Sequence, residues 1–248
     1  MLRRRKRNAD ASADGPFGTG RQRLSMVNPW LLAPVAGVSA KSAPRLRRPQ
    51  SWVQEDVCDV NDQIRQGEDD GEKLTEKELM HNCIFLLNAG HETTTNLIGN
   101  GLVALLQHPA QKQRLLDHPE MIKTAVEEML RYESSNQLGN RMTTEPVELG
   151  GIAMPAGTPV TLCIGAANRD PAQFPDPETF DIGRTPNRHL AFASGAHQCA
   201  GMALARLEGA IAVSRFLKRF PGYALDGEPV RGGRVRFRGF LSVPCRVG

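Results

Sequence analysis

The 248-residue sequence lacks long apolar stretches, C-x-x-C pairs, internal repeats and the apolar core of a secretory signal. No window reaches 18 uninterrupted apolar residues, which argues against a membrane-spanning helix. Glycine (24) and proline (17) together make under a fifth of the chain, which excludes collagen-like and low-complexity classes. The remaining composition, 40% hydrophobic and 23% charged, is typical of a globular protein with one large domain or two small ones.

The cysteines are few and far apart. Their number is odd, and they stand at Cys58, Cys83, Cys163, Cys199 and Cys245. Neither a disulfide framework nor a zinc ribbon fits this spacing. We therefore expect a protein of the reducing cytoplasm.

Positive charge is concentrated at the start of the chain. Residues 1–50 hold 11 Lys or Arg against two acids, whereas residues 51–248 hold 20 against 25. The first segment shows no helical or strand period, so we expect residues 1–60 to be a mostly disordered basic leader and residues 61–248 to fold. A nucleic-acid arm is the alternative, but no groove-reading motif or interleaved aromatics follow it. We expect neither nucleic acid nor a membrane as a partner.

From residue 75 onward the pattern predicts a mainly α fold of the α+β kind, with small hairpins. Thr75 and Glu78 have the spacing of a capping box, and apolar residues recur at helical intervals up to His108-Pro109. Apolar groups cover much of this helix of about 30 residues, so we expect it to run through the interior. Further predictions are helices over 110–116, 119–132 and 200–220, a hairpin over 147–167, an irregular stretch over 168–190 and a weak strand over 235–243.

The segment from Phe192 to Gly201 carries the strongest indication of chemistry. Cys199 stands just before a predicted helix, among glycines that permit tight turns. Backbone N–H groups and the helix dipole would favour a thiolate there, and a thiolate can ligate iron. A lone cysteine is more often a small buried hydrophobe. A zinc site built from His197 and Cys199, with or without His189, lacks a convincing fourth ligand.

This segment resembles the cysteine-ligand loop of the cytochrome P450 superfamily, F-x-x-G-x-H/R-x-C-x-G, and the following Ala205-Arg206-Leu207-Glu208 resembles bacterial members. Two further family motifs occur in the expected order. Residues 89–94, AGHETT, resemble the oxygen-activation motif of the helix that crosses the haem. Glu128-Met-Leu-Arg131 resembles the family's E-x-x-R pair, and Arg184 matches the arginine that completes its triad. Ala193 departs from the family, where a glycine usually follows the aromatic residue, and we expect it to tighten the loop slightly.

The resemblance implies a role for each motif. Cys199 would hold the haem iron, Thr93 would hold dioxygen and Glu92 would deliver protons. Glu128, Arg131 and Arg184 would form one buried charge network beneath the haem. The residues implied to bind haem are Phe192, Gly195 and Gly201, with Arg141 and His197 at its propionates, and those implied to line the substrate pocket are Leu86, Ala89, Asn136, Gln137, Leu138 and Phe240.

Two of these motifs have ordinary alternatives when they are considered alone. Glu128 and Arg131 have the i,i+3 spacing of many exposed helical ion pairs. The Thr93 hydroxyl could bond the carbonyl one turn earlier in its helix. An acid such as Glu92 within an apolar helix is costly to bury unless it serves a purpose.

The resemblance implies a haem-thiolate monooxygenase that inserts one atom of O₂ into a small hydrophobic organic substrate. Its cofactor would be heme b (iron protoporphyrin IX), and electrons from NAD(P)H would arrive through a ferredoxin reductase and a ferredoxin. Family members are considerably longer, so we expect a fold incomplete on its N-terminal side, with apolar helix faces open to water and weak haem binding. The alternatives are an inactive fragment and a haem-binding module without turnover.

Overall fold

The computed structural model describes the backbone of residues 22–27, 68–69 and 72–247 and the side chains of residues 74–247. In this part the fold is helix-rich with small antiparallel sheets, which confirms the predicted fold class. None of its helices is long and apolar enough to cross a membrane. Apart from residues 22–27, the predicted basic leader lies outside the described residues.

The first helix, α1, spans Glu76–Gln107 and confirms the predicted long helix. It begins with the predicted capping box, in which the Glu78 N–H donates to Thr75 Oγ1 at 3.3 Å and the Thr75 N–H donates to Glu78 Oε2 at 2.9 Å. Its last residue is Gln107, because the ring of Pro109 disfavours a helical conformation in His108, the residue before it.

Only the second half of α1 is interior. Leu97, Leu102 and Leu105 are at most 2% exposed, whereas Phe85 is 66% and Leu87 63% exposed. The expectation of an interior helix is therefore wrong for the first half. Apolar residues around its whole circumference allow a helix to be buried, but burial also requires neighbouring elements. The described helices and strands cover only the second half of α1. The exposed first half agrees with the expected open apolar faces.

The helices that follow in the described chain are shorter. They are α2 (Pro109–Asp117), α3 (Ile122–Tyr132, after a 3-10 turn at Pro119–Met121), α4 (Ile164–Ala167) and α5 (Met202–Arg219). The helices predicted over 110–116, 119–132 and 200–220 are thus confirmed. The four-residue helix α4 was not predicted, because it lies at the end of the predicted hairpin.

Helices α1, α3 and α5 approach each other closely at two glycines. A Cβ at Gly101 of α1 would lie 2.5 Å from Sδ of Met129 on α3, and a Cβ at Gly209 of α5 would lie 3.2 Å from Cδ2 of Leu97. Larger residues there would push the helices apart. The main core surrounds these contacts and includes Leu102, Leu105, Val126, Leu130, Val213 and Leu217.

The predicted hairpin over 147–167 is only partly correct. Strands β5 (Val147–Leu149) and β6 (Ile152–Met154) pair across two glycines with positive φ. The next strand, β7 (Pro159–Cys163), pairs instead with β4 (Leu138–Met142), which was not predicted. The stretch 168–190 contains neither helix nor strand, as predicted.

The C-terminal strand organises the largest sheet of the described chain. Strand β10 (Phe240–Val247) pairs on one edge with β1 (Gln22–Val27) and on the other with β8 (Ala224–Leu225) and β9 (Val230–Arg231). The strand predicted over 235–243 therefore begins later and extends further. A separate small pair joins β2 (Glu68–Asp69) to β3 (Glu72–Lys73).

Strand β1 lies within the segment 1–60, for which the sequence predicted no strand. Its six residues run antiparallel along β10, from Gln22 opposite Val247 to Val27 opposite Ser242. Residues 22–27 therefore form a strand that the sequence did not predict. Local periodicity missed this strand, because its hydrogen-bond partners lie at the other end of the chain.

Candidate active site

Cys199 lies in a tight loop immediately before α5. The Cys199 N–H donates to the Phe192 carbonyl at 2.9 Å, which closes the loop around a 3-10 turn at Gly195–His197. The cysteine is exposed, and α5 begins three residues later, at Met202. The thiol is therefore accessible from outside and stands at the positive end of a helix dipole.

Ala193 adopts the left-handed conformation in this loop, with φ of 58°. Its N–H donates to the Leu190 carbonyl at 2.8 Å, so the turn holds it in place. For a residue with a Cβ this conformation costs about 1–2 kcal/mol. The position that departs from the family pattern is therefore a strained one.

Replacing Ala193 with glycine is expected to stabilise the fold. The gain should be about 0.5–1 kcal/mol, because relief of the strain exceeds the added entropy of the unfolded glycine chain. Urea denaturation followed by circular dichroism measures it. The control is Ala203→Gly at an exposed position of α5, where glycine should destabilise by about 0.5–1 kcal/mol. A loss of stability in both variants would contradict strain at Ala193.

Glu128, Arg131 and Arg184 come together in the structure. Arg131 donates from Nε to Glu128 Oε2 and from Nη2 to Glu128 Oε1, both at 2.8 Å, and Arg184 Nε lies 3.3 Å from Glu128 Oε1. The side chains of Glu128 and Arg131 are fully buried. The pair is therefore not an exposed surface contact.

The same arginines hold the irregular stretch by its backbone. Arg131 donates to the carbonyls of Asn168, Pro177 and Thr179 at 2.8–3.0 Å. Arg184 donates to the carbonyls of Pro175, Asp176 and Thr179 at 2.8–3.2 Å. A stretch without regular secondary structure thus obtains its order from two guanidinium groups.

Two asparagines in this network were missed by sequence reasoning. Asn187 Nδ2 donates to Glu128 Oε2 at 3.0 Å, and the fully buried Asn168 accepts from the Leu190 N–H at 2.6 Å and donates to Ser134 Oγ at 2.8 Å. Neither stands in a motif or a periodic segment. Their location in a long irregular stretch was the only available signal.

Glu92 and Thr93 lie on α1, and each already has a partner. The Thr93 hydroxyl donates to the Ala89 carbonyl at 2.7 Å, which is the local bond considered from the sequence. Glu92 Oε1 lies 2.5 Å from Nη1 of Arg234, a residue that sequence reasoning missed. Ionised Glu92 is therefore balanced by a cation from the far end of the chain.

The two residues assigned to propionates are exposed. Arg141 lies on β4 and donates from Nη1 to the Asn140 carbonyl at 2.8 Å, which leaves its other guanidinium nitrogens available. His197 lies on the 3-10 turn before Cys199. An exposed thiol, an exposed arginine, an exposed histidine and an apolar helix face suit an iron porphyrin with carboxylate side chains.

A cavity of about 510 Å³ lies beside β4 and the segment before β10. Gln137 and Leu138, which the resemblance assigns to the substrate pocket, line this cavity together with arginines of residues 231–238. The other residues assigned to the pocket do not line this cavity: Leu86, Ala89, Asn136 and Phe240. Leu86 is 57% exposed on the open half of α1.

A comparison with known families identifies the chain. Residues 45–229 match the model of the family described as cytochrome P450. The chain belongs to the cytochrome P450 family. The matched region contains the Cys199 loop, the Glu92–Thr93 pair and the network of Glu128, Arg131 and Arg184.

Relatives and solved structures agree with this family. The chain is 50% identical over 154 residues to the biotin biosynthesis cytochrome P450 of Bacillus subtilis (strain 168), covering 62% of this chain and 39% of that protein. It is 46% identical over 187 residues to the cytochrome P450 monooxygenase PikC of Streptomyces venezuelae, covering 74% and 45%. The solved polyketide synthase P450 PksS of Bacillus subtilis 168 superposes with a TM-score of 0.71 at 39% identity, covering 77% and 54%. The chain thus spans about half the length of these relatives or less.

A second charged cluster in this P450 chain lies against the Cys199 loop and was also missed. Glu127 accepts from Arg206 Nε at 2.6 Å and Nη2 at 2.9 Å, and Arg206 stacks over the Phe192 ring at 4.7 Å. His189 Nδ1 accepts the Ala191 N–H, so Nε2 carries the ring proton and donates to Glu127 Oε2 at 3.0 Å. The cluster ties α3 and α5 to the segment before the loop.

The charges of this cluster shift the pKa of Glu127. Burial would raise that pKa, but hydrogen bonds from His189 and Arg206 outweigh burial and lower it to about 2. The bond to Glu127 in turn raises the pKa of Arg206. Glu127 and Arg206 are therefore both ionised at neutral pH.

Stability should depend on pH through Glu127. Because its folded pKa lies below its ordinary value of 4.5, its contribution is complete above about pH 4.5 and is lost as pH falls toward 2. Glu127→Gln should cost about 1–2 kcal/mol at neutral pH and weaken the acid dependence. Urea denaturation at several pH values tests this. The control is Glu120→Gln in the exposed pair with His118. Unchanged acid dependence in Glu127→Gln would contradict the assignment.

Proposed function

We propose that the chain carries the haem-binding centre of a haem-thiolate monooxygenase, with Cys199 as the iron ligand. The observation that carries the proposal is the loop of Cys199: an exposed thiol held by a backbone bond to Phe192 at the start of α5. The cofactor would be heme b. When bound, it would supply the activation of O₂, and a thiolate ligand favours O–O cleavage.

The chain's own residues would bind and orient this group. Arg141 and His197 have exposed donors that suit propionate carboxylates. The Glu128–Arg131–Arg184 network would hold the 168–190 stretch rigid next to the Cys199 loop. Phe192, Gly195 and Gly201 would shape that loop around the thiolate.

Proton delivery would fall to Glu92 and hydrogen bonding of O₂ to Thr93. Oε1 of Glu92 faces Arg234, which leaves Oε2 to exchange a proton. The Thr93 hydroxyl donates its proton to the Ala89 carbonyl, and it would rotate away from that carbonyl to donate to O₂. Positioned acids of this kind contribute about 10²–10⁴-fold to rates.

The full reaction would insert one oxygen atom into a small hydrophobic organic substrate. Electrons would come from NAD(P)H through a ferredoxin reductase and a ferredoxin. The four cysteines in the described part are unpaired, which favours a reducing cytoplasm as the compartment.

A haem-binding module without turnover is the second candidate. It is favoured by the exposed first half of α1, where Phe85 and Leu87 face solvent in place of a closed pocket. The two candidates differ in whether oxygen insertion follows haem binding.

The test is to express the chain, load it with haem, and record the absorption spectrum of its reduced, CO-bound form. A thiolate-type spectrum is expected. Substrate-dependent NAD(P)H consumption with added ferredoxin and reductase then separates the monooxygenase from the binding module. A spectrum without thiolate character would overturn both candidates.

A further inference from the structure

Arginines concentrate around the 510 Å³ cavity, and the proposed reaction does not use them for chemistry. Arg231, Arg234 and Arg238 line it, all on the segment between β9 and β10 or at its start. The cavity adjoins the proposed oxygen-activating residues, because Arg234 also binds Glu92. A ligand in this cavity would therefore lie beside the reacting centre.

The cavity carries unbalanced positive charge. Glu133 lies between two of the arginines, 3.2 Å from Arg231 Nη2 and 2.8 Å from Arg238 Nε, and Glu92 faces Arg234 at 2.5 Å. Three guanidinium groups thus face two carboxylates. Arg236, on the same segment, has no acidic partner among residues 74–247 and stacks on the Phe237 ring at 5.3 Å. An anion would restore the balance.

These arginines also retain unused donors. In the described part, Arg234 bonds only through Nη1 and Arg231 only through Nη2. A guanidinium group has five N–H donors in a planar fork, which matches a carboxylate with two parallel bonds. Each arginine can thus hold Glu92 or Glu133 and a ligand at the same time.

Apart from Gln137, the lining between the arginines consists of glycines and small or apolar side chains. Leu138 and Ala166 contribute to the wall, and Val235 is 76% exposed beside the arginines. An exposed branched side chain next to cations suits a ligand with a charged head and a hydrocarbon body. A fully charged ligand would leave this part of the wall uncovered.

We propose that this cavity binds an organic acid, with its carboxylate on Arg231 and Arg234 and its hydrocarbon chain against Leu138 and Val235. The proposal rests on the proposed function, because it names the substrate class of that same site. A single carboxylate matches the one uncompensated charge of the lining.

The test measures binding rather than turnover, and so does not require haem. Decanoate and 1-decanol are titrated separately into the chain by isothermal calorimetry. The two probes share a hydrocarbon chain and differ in the charge of the head group. Decanoate is expected to bind at least about tenfold more tightly, the ratio expected for charge-assisted hydrogen bonds.

Variants then locate the carboxylate. Arg234→Gln and Arg231→Gln should each weaken decanoate binding about tenfold and leave decanol binding unchanged. The control is Arg215→Gln, at an exposed position on α5 that lines no part of the cavity. Circular dichroism checks that each variant is folded. If either Arg234→Gln or Arg231→Gln does not fold, the other still tests the proposal.

Three outcomes overturn the proposal: equal affinity for the two probes, equal loss in Arg215→Gln, or no binding of either probe up to about 1 mM. Failure here is distinct from failure of the proposed function. A thiolate-type spectrum without carboxylate preference rejects only the organic acid, whereas carboxylate binding without that spectrum rejects only the monooxygenase.

Discussion

Cys199→Ser is expected to abolish the thiolate-type spectrum of the haem-loaded chain. Serine keeps the shape of the side chain, but its hydroxyl is not ionised at neutral pH and is a much poorer iron ligand. The loop geometry should survive, because the bond that closes it runs from the backbone N–H of residue 199 to Phe192. The loss of spectrum should therefore be complete while the protein stays folded.

The other described cysteines provide the controls. Cys163 is exposed at the end of β7 and so resembles Cys199 in accessibility, but the helix that follows it, α4, has only four residues, whereas α5 after Cys199 has 18. Cys245 is buried in β10, and burial raises the pKa of its thiol, which disfavours a thiolate. Cys163→Ser should leave the spectrum unchanged. Loss on Cys163→Ser, or survival on Cys199→Ser, would move the ligand elsewhere.

The helices of this chain could be predicted because their signals are local. The capping box at Thr75, the proline after His108 and the apolar period of α3 each act within one or two turns. Helix faces were harder to predict. The period that located α5 rested partly on Leu204 and Leu207, yet these are 59% and 57% exposed, while Gly209 and Val213 face the core.

The strands show where local reasoning fails. β7 follows β6 after a four-residue turn that contains Gly157 and so looks like its partner, but it pairs with β4. The segment of β1 shows no clear apolar period, and it forms a strand because it pairs with one edge of β10. Strand pairing depends on long-range partners, and a single sequence does not show which edge is free.

The candidate site divides in the same way. Cys199, Glu128 and Arg131 could be located because each stands in a dense motif of fixed spacing. Arg234, Asn168 and the Glu127–His189 pair could not, because their partners lie 22–142 positions away in the sequence. These residues hold or neutralise the motif residues. A motif scan finds the groups that do chemistry and misses those that orient them.

Arg131→Ala is expected to destabilise the fold more than other single charge removals. Arg131 makes two bonds to Glu128 and three to backbone carbonyls, all without solvent access to its side chain. Its removal leaves the fully buried Glu128 carboxylate with weaker compensation and frees the 168–190 stretch. Breaking a buried pair in this way costs about 3–5 kcal/mol, a large part of the stability of a typical domain.

Two further variants give the expected order of effects. Arg184→Ala should cost less, because Arg184 is 11% exposed and contacts Glu128 through a single longer bond of 3.3 Å. Arg114→Ala is the matched surface control, since its pair with Asp181 has side chains 44% and 39% exposed and should cost about 0–1 kcal/mol. Urea denaturation measures the free energy of unfolding of each variant. If Arg131→Ala does not fold, the soluble fraction after expression gives the order of destabilisation among the three variants. If Arg131→Ala were soluble and as stable as Arg114→Ala, the network would not be what holds the fold.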